Sequence, residues 1–276
     1  MDPQVTTSAP DIELGLFLDA IYRTYHYDFR AYSAASLKRR VAAALKRFEC
    51  PTISRLQERV LRDPRFFNEL LGYLTVQVSD LFRDPLYFQA LRDRVIPYLR
   101  TYPRIKVWVA GCATGEEAYS IAIVLHEAEL LDRSLVYATD INPEALRVAA
   151  AGIYDTERFA RFSQSYLASG GTGSLSDYYA AAYSGAVLDR RLRDRIVFSD
   201  HSLATDSVFA EVQLVSCRNV LIYFERALQD RAIGVLTDSL ARKGFLGLGL
   251  KETLRFSSHA DVFTEHVPEA RLYQKL

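Results

Sequence analysis

Apolar positions recur at helical spacing in the first quarter of the chain and then shift to short continuous runs separated by helical stretches. From Asp11 to about Asp63 the spacing is helical, glycines are few and Pro51 is the one internal break, which predicts a helical bundle. Leu37, Val41, Leu45 and Phe48 fall at intervals of four, four and three, while Lys38, Arg39, Arg40, Lys46 and Arg47 cover the rest of that helix, with Ser36 as its candidate cap. This basic surface reads either as a solvated face or as a docking surface for an acidic partner. Thr75–Val78 has β-branched, alternating character. Ser79–Pro85 then reads as a turn into another helix, with Pro85 suited to its first turn, and here the helical part hands over.

From Lys106 the pattern becomes strand, helix, strand: Val107–Ala110, Tyr119–Glu127, Leu135–Asp140. Such alternation predicts a parallel sheet with right-handed crossovers. Glycines and serines interrupt it at 169–174, and Tyr178–Tyr183 and Ala186–Phe198 read as short antiparallel strands of an inserted subdomain. The sheet resumes with Ile196–Ser199 and Val212–Cys217 and ends with Phe245–Leu250 and Arg271–Lys275.

Composition narrows the function classes. Lys plus Arg equals Asp plus Glu, 34 each in 276 residues, so no global field draws the chain to nucleic acid or an anionic membrane, and any charged partner must meet a local patch. No apolar run reaches membrane-spanning length, and Met1–Ser8 lacks the basic and apolar parts of a signal peptide, so the protein reads as cytoplasmic. Cys50, Cys112 and Cys217 form neither a paired framework nor a Cys-x-x-Cys clip, so no disulfides and no metal are expected. Cys112 and Cys217 both fall at strand ends, as small half-buried residues.

Val107–Glu117 carries the most chemistry: a buried strand breaks at Gly111 and Gly115 into a glycine-spaced loop and a helix. That is how a nucleotide-type site begins, and also how a purely structural strand–turn–helix looks. Glu116 and Glu117 at the helix N-terminus oppose a pyrophosphate and favour a cation, which disfavours NAD and suits S-adenosylmethionine, a ligand with an amino group, a sulfonium and no phosphate. Asp140, at the next strand end, can accept both hydroxyls of a ribose or cap the helix before Pro143–Glu144. Arg218 and Asn219 leave a third strand end, and Tyr223 follows one helical turn after Asn219, on the same face.

Gly-Cys-Ala-Thr-Gly-Glu-Glu-Ala-Tyr-Ser (111–120), Ala-Thr-Asp-Ile-Asn (138–142), Cys-Arg-Asn-Val-Leu-Ile-Tyr-Phe (217–224) and Ser-Asp-Leu-Phe-Arg-Asp (79–84) together resemble the CheR family of chemotaxis receptor methyltransferases, in the family's order, over about Asp11 to Leu276. The resemblance implies an N-terminal helical domain (1–88) and a Rossmann-like S-adenosylmethionine-dependent methyltransferase domain (89–276) with an inserted antiparallel subdomain at about 168–195. The family's Asn-x-Thr-x-x-x-Arg cofactor motif falls on Gln77, Ser79 and Arg83. The resemblance further implies a cofactor-loop glycine at Gly111, the amino-group carboxylate at Glu117, the ribose carboxylate at Asp140, the adenine-side pair at Ser202 and Leu203, and the last cofactor strand at Arg218 and Asn219. Arg83 and Tyr223 match the positions nearest the transferred methyl. Gln77, Ser79 and Ser202 replace the usual Asn, Thr and Asn, all keeping a hydrogen-bonding group. Gly-Leu-Lys-Glu-Thr-Leu (249–254) replaces a more typical Gly-His-Ser-Glu-Ser, which leaves Lys251 and Glu252 without an assigned role.

The implied reaction gives glutamate methyl esters on the cytoplasmic helical domain of chemoreceptors, with S-adenosylhomocysteine as product. Glutamate, with an ordinary pKa of about 4.3, is already ionised at neutral pH and needs no base. Arg83 would orient a carboxylate, or be tied structurally to Asp84 or Asp80. Tyr223 would pack beside the sulfur, or be a core aromatic. Lys38, Arg39, Arg40, Lys46 and Arg47 would dock a Glu-rich receptor helix. The alternative reading is an S-adenosylmethionine-binding signalling module with another acidic partner and little turnover. No nucleic-acid partner and no membrane insertion are expected, and the chain is expected to be monomeric.

Overall fold

The computed structural model describes residues 8–182 and 185–276; the leader reading of Met1–Ser8 rests mostly on residues outside it, and so does the Tyr183 end of an expected strand. The chain forms two compact units, Met1–Val76 with Tyr223–Leu228, and Gln77–Ile222 with Gln229–Leu276. The expected boundary at 88 therefore falls too late. Leu81, Phe82, Tyr87 and Phe88 are fully buried in the core of the second unit, which draws the Gln77–Phe88 segment into it.

The first unit holds α1 (Ala9–Tyr25), α2 (Ala34–Arg47), α3 (Ile53–Arg62) and α4 (Pro64–Leu74) around Phe17, Ile21, Leu37, Val41, Leu56, Val60, Phe67 and Leu70. Thr52 and Asp63 cap α3 and α4, accepting from the N–H groups of Arg55 and Arg65, and Pro64 takes a first-turn position. Helix α2 starts earlier than Ser36. Ser33 precedes it without a side-chain bond, and Ser36 lies buried inside the helix. After Leu74 the helix ends, and Thr75–Val78 joins no strand.

In the second unit, α5 (Pro85–Ala90) opens with Pro85, passes through a π-helical turn (Leu91–Val95) and continues as α6 (Ile96–Leu99). Then come β1 (Ile105–Ala110), α7 (Glu116–Glu127), β2 (Ser134–Asp140), α8 (Pro143–Ala151), β3 (Ile153–Asp155), α9 (Phe159–Ala168), β4 (Tyr179–Ala182), β5 (Gly185–Leu188) and α10 (Arg190–Arg193). The chain finishes with β6 (Ile196–Asp200), β7 (Val212–Cys217), α11 (Arg226–Ser239), β8 (Leu240–Leu248), β9 (Phe263–Val267) and β10 (Leu272–Lys275). The main sheet has the order β6-β2-β1-β7-β8-β10-β9, parallel through β8, with β10 antiparallel to both of its neighbours. After β1 the chain lays β2 on one side and β7 on the other. The strand order thus switches at β1, and the crevice beyond the carboxyl ends of these strands is where such sheets bind ligands.

The inserted subdomain is a three-stranded antiparallel sheet, β3-β5-β4, and it departs from the expected 168–195 segment. Its edge strand β3 and helix α9 come earlier in sequence. The expected strand Ala186–Phe198 is two strands with a helix between, because Asp189 accepts from the Arg191 N–H and caps α10, returning the chain to the main sheet as β6. The hydrophobic pattern marks neither strand β9 nor the first half of β8. β9 lies at the sheet edge with Thr264 and Glu265 exposed, so it lacks the apolar run of its buried neighbours. Among the described residues, no helix is long and apolar enough to cross a membrane.

Candidate functional site

At the end of β1, Gly111 takes a φ of +76°, and a Cβ there would come within 2.4 Å of Val220 Cγ2. Gly115 takes a φ of +94°, and a Cβ added to it would lie 2.7 Å from Ala149 Cβ. Both turns therefore need glycine. Between them the backbone N–H of Ala113 donates to Asp140 Oδ2 at 2.9 Å, joining the loop to the end of β2. Asp140 Oδ1 accepts from the Asn142 N–H at 3.0 Å, and Gln77 also bonds to this carboxylate. Burial pushes the Asp140 pKa up, offset in part by these donors. Asp140 does not cap α8. Asn142 does, accepting from the N–H groups of Glu144 and Ala145.

Neither loop carboxylate is free. Glu116, fully buried, accepts from Thr114 Oγ1 at 2.7 Å and from Arg158 Nη2 at 2.8 Å. Arg158 also holds the Ser79 carbonyl at 2.5 Å and pairs with Asp80, as does Arg161, so α9 and the turn before it fasten the segment that carries Ser79. Glu117 accepts from Ser216 Oγ at 2.6 Å and from Arg218 Nη1 at 3.0 Å. The Arg218 side chain is 1% exposed and sits at the centre of the site. Its Nη2 donates to Asp84 Oδ2 at 2.8 Å and to the Arg83 carbonyl at 2.9 Å, and the guanidinium lies 4.1 Å from the centre of the Tyr87 ring. The Tyr87 hydroxyl lies 2.7 Å from Ser216 Oγ, which closes the ring of contacts. Phe82 and Asp84 adopt left-handed backbone, φ +55° and +57°, a sparsely populated conformation that the buried Phe82 ring and the Arg218–Asp84 pair hold in place.

A cation is therefore not met by bare carboxylates, as the loop sequence suggests: Glu117 is already paired with Arg218, and Asp140 is held by the Ala113 and Asn142 N–H groups. Arg83 is half-buried, donates from Nη1 to the Val78 carbonyl at 3.2 Å, and makes no ion pair among the described residues, neither with Asp84 nor with Asp80.

At the other strand ends, Ser202 Oγ accepts from the Ala204 N–H and its own N–H donates to Asp206, forming a tight turn. Leu203 is buried in that turn. Arg231 of α11, unmarked in the sequence, donates to the carbonyls of Leu203, Thr205 and Asp206 and fixes its shape. Asn219 is left-handed, φ +60°, and no α-helix runs from it to Tyr223: Leu221–Tyr223 is one 3₁₀ turn, so the one-turn, same-face placement fails. Glu252 supplies what the sequence left open. Its buried carboxylate accepts from the N–H groups of Asn219, Val220, Ile222 and Gly249 at 2.9, 2.9, 3.3 and 2.6 Å, and burial raises its pKa. Cys112 and Cys217 are fully buried rather than half-buried, with thiol pKa values pushed well up by desolvation, so neither is a nucleophile at neutral pH.

A family model described as the SAM binding domain of CheR methyltransferase matches residues 77–269, and one described as the CheR methyltransferase all-alpha domain matches 12–75. The chain belongs to the CheR methyltransferase family. Its relatives include Cher3 of Pseudomonas putida, 55% identical over 265 residues, covering 96% of this chain and 97% of that protein. A chemotaxis protein methyltransferase of Listeria innocua is 28% identical over 254 residues, 89% of this chain and 92% of the relative. Chemotaxis protein methyltransferase 2 of Pseudomonas aeruginosa is 30% identical over 207 residues, 72% of this chain and 71% of the relative. The cofactor of this CheR-family domain is S-adenosylmethionine. The strand ends hold groups of the kinds such a ligand requires: carboxylate acceptors at Asp140 and Glu117, the half-buried guanidinium of Arg83 and the backbone polar groups of the Leu203 turn.

In the helical unit the basic face of α2 divides. Arg39, Lys46 and Arg47 are exposed, and Lys38 is exposed while pairing with Asp11 at 2.5 Å. Arg40 is not a surface residue. It is buried, donates to the Leu74 carbonyl at 2.5 Å, and lies 4.5 Å from the centre of the Tyr223 ring, so it belongs to the interior of this unit. Tyr223 itself is half-buried, and its carbonyl accepts from the Ser33 N–H at 2.8 Å.

Proposed function

We propose that this CheR-family protein methylates glutamate side chains on the cytoplasmic helices of chemoreceptors. When bound, S-adenosylmethionine supplies the electrophilic methyl group. The observation that carries the reading is Arg83, a guanidinium that makes no ion pair among the described residues, beside the buried Arg218 network. Arg218, held by Glu117 and Asp84, keeps the Arg83 backbone fixed through its carbonyl, so the Arg83 side chain can orient a carboxylate from a rigid base. A glutamate is already ionised at neutral pH, so no group at the rim has to remove a proton. Orientation and partial desolvation are then what the site contributes, and a loosely held carboxylate is not over-stabilised before its charge is neutralised. Gln77, Ser79, Gly111, Glu117, Asp140, Ser202, Leu203, Arg218 and Asn219 frame the cofactor in this reading. Lys38, Arg39, Lys46 and Arg47 attract an acidic receptor helix, a long-range effect that salt screens.

The test uses labelled S-adenosylmethionine and a Glu-rich helical receptor fragment. Methyl esters release base-labile label as methanol, and Arg83→Ala is expected to lower transfer at least about tenfold, as lost orientation does. Retained cofactor binding with no base-labile label on any receptor fragment would instead support a binding module without turnover.

A further inference from the structure

The loop after β8, Gly249–His259, is pinned at both ends, and the cofactor rim uses none of its outward side chains. Glu252 fastens the first half to Asn219, the neighbour of Arg218. Asp230 of α11 fastens the second half, accepting from Ser257 Oγ and from the N–H and Oγ of Ser258 at 2.6, 2.7 and 2.7 Å. Between these anchors Leu254 is buried. On this held loop Leu250 is 44% and Phe256 63% exposed. Lys251 and Arg255 are exposed beside them, neither forms an ion pair among the described residues, and the Arg255 guanidinium lies 5.8 Å from the centre of the Phe256 ring.

Two cations that make no ion pair among the described residues, flanked by two apolar side chains, complement a surface that carries both carboxylates and aliphatic groups. An ordered loop meets such a surface with little conformational cost, and an aromatic with a neighbouring Arg is a common centre of binding energy. The position matters as much as the chemistry, because the loop leaves the carboxyl end of a parallel strand, the ligand end of such sheets.

We infer that Gly249–His259 is a substrate-docking loop that seats an acidic amphipathic helix, with Lys251 and Arg255 against its carboxylates and Leu250 and Phe256 against its aliphatic stripe. This rests on the glutamate-methylation reading and names the part of the chain that selects the protein substrate. A lipid surface offers anionic and apolar groups too, but it gains nothing from a loop fastened one residue from Arg218, which favours a substrate to be aligned with the site.

The experiment compares the full chain with Lys251→Glu/Arg255→Glu and Leu250→Ser/Phe256→Ser, measuring KM and kcat for a Glu-rich helical receptor fragment and S-adenosylmethionine binding by calorimetry. Both variants are expected to raise KM roughly tenfold, the scale of losing a binding hot spot, with kcat and cofactor affinity held. An unchanged KM in variants of an active enzyme overturns the docking role. So does a loss of cofactor affinity, which would make the loop purely structural, and so does lost binding to phosphatidylserine vesicles at unchanged KM, which would assign the loop to membranes. A wild-type protein that binds cofactor but methylates no receptor fragment overturns the parent reading, and is told apart because it precedes any effect of the variants.

Discussion

Charged residues crowd two regions, the carboxyl ends of the main sheet and helix α2, and they meet opposite fates. At the strand ends Glu116, Glu117, Asp84, Arg158 and Arg218 are paired with one another and largely withdrawn from water. On α2, Arg39, Lys46 and Arg47 face solvent, and only Arg40 turns inward. The difference teaches that a charge beside a strand end is best read as part of an internal network, while a charge on an amphipathic helix is best read as surface. The first kind shapes the site and the second is available to a partner.

Removing the centre of the network should have the largest effect. Arg218→Met leaves the part-buried Glu117 and Asp84 without their cation and should cost about 3 kcal/mol in chemical denaturation, the low end for breaking a buried pair, since Asp84 keeps contact with water. Next comes Glu252→Gln, which keeps the shape but sets an amide NH₂ against backbone N–H groups. It should cost about 2–3 kcal/mol, measurable in the same titration. On α2 the inward residue should separate from its neighbours: Arg40→Ala loses the Leu74 bond and the contact with Tyr223, about 2 kcal/mol. Lys46→Glu/Arg47→Glu should stay within about 0.5 kcal/mol of wild type in stability while raising the receptor KM at low salt. Equal losses for Arg40 and for the Lys46/Arg47 pair would erase the distinction between the two regions.

The smallest effect concerns acid. Asp230 is held to a pKa of about 2, below its usual 3.8, by the hydroxyls of Ser257 and Ser258 and the Ser258 N–H. A depressed carboxylate contributes stability above its unfolded pKa and loses it as pH falls through the folded one. The stability difference between wild type and Asp230→Asn should therefore be constant above about pH 4 and vanish near pH 2. A difference that grows toward low pH would contradict the assignment.

How much was legible follows the same division. The strand–loop–helix at Gly111–Glu127 and the carboxylate at Asp140 were readable because glycine geometry and strand ends are local features of sequence. The exact boundary was not, since Ser79–Pro85 reads as a turn between the two parts, and only the burial of Leu81, Phe82, Tyr87 and Phe88 shows which core the segment joins. Partners were the least readable part. Nothing in the chain around Arg158 announces a link to Glu116, and nothing near Arg231 announces three carbonyls of the Leu203 turn, because such pairings exist only after the sheet has formed. The inward turn of Arg40 was hidden for a related reason: its methylene stem suits the apolar stripe of α2, and its charge is met by a carbonyl and a ring that belong to other segments. Arg231→Ala offers a check on that class of residue, with cofactor affinity expected to fall several-fold as the turn loosens while overall stability changes by about 1 kcal/mol.

In the proposed reading the rim built around Asp140 and the Arg218 network holds the cofactor. Calorimetric titration with S-adenosylmethionine, S-adenosylhomocysteine and NAD, on wild type and on Asp140→Asn checked for folding by circular dichroism, tests it most directly. Both adenosyl ligands are expected to bind and NAD is not, with adenosyl affinity reduced at least about tenfold in the variant, as expected for a lost charged hydrogen-bond acceptor. Undiminished adenosyl affinity in folded Asp140→Asn would contradict it.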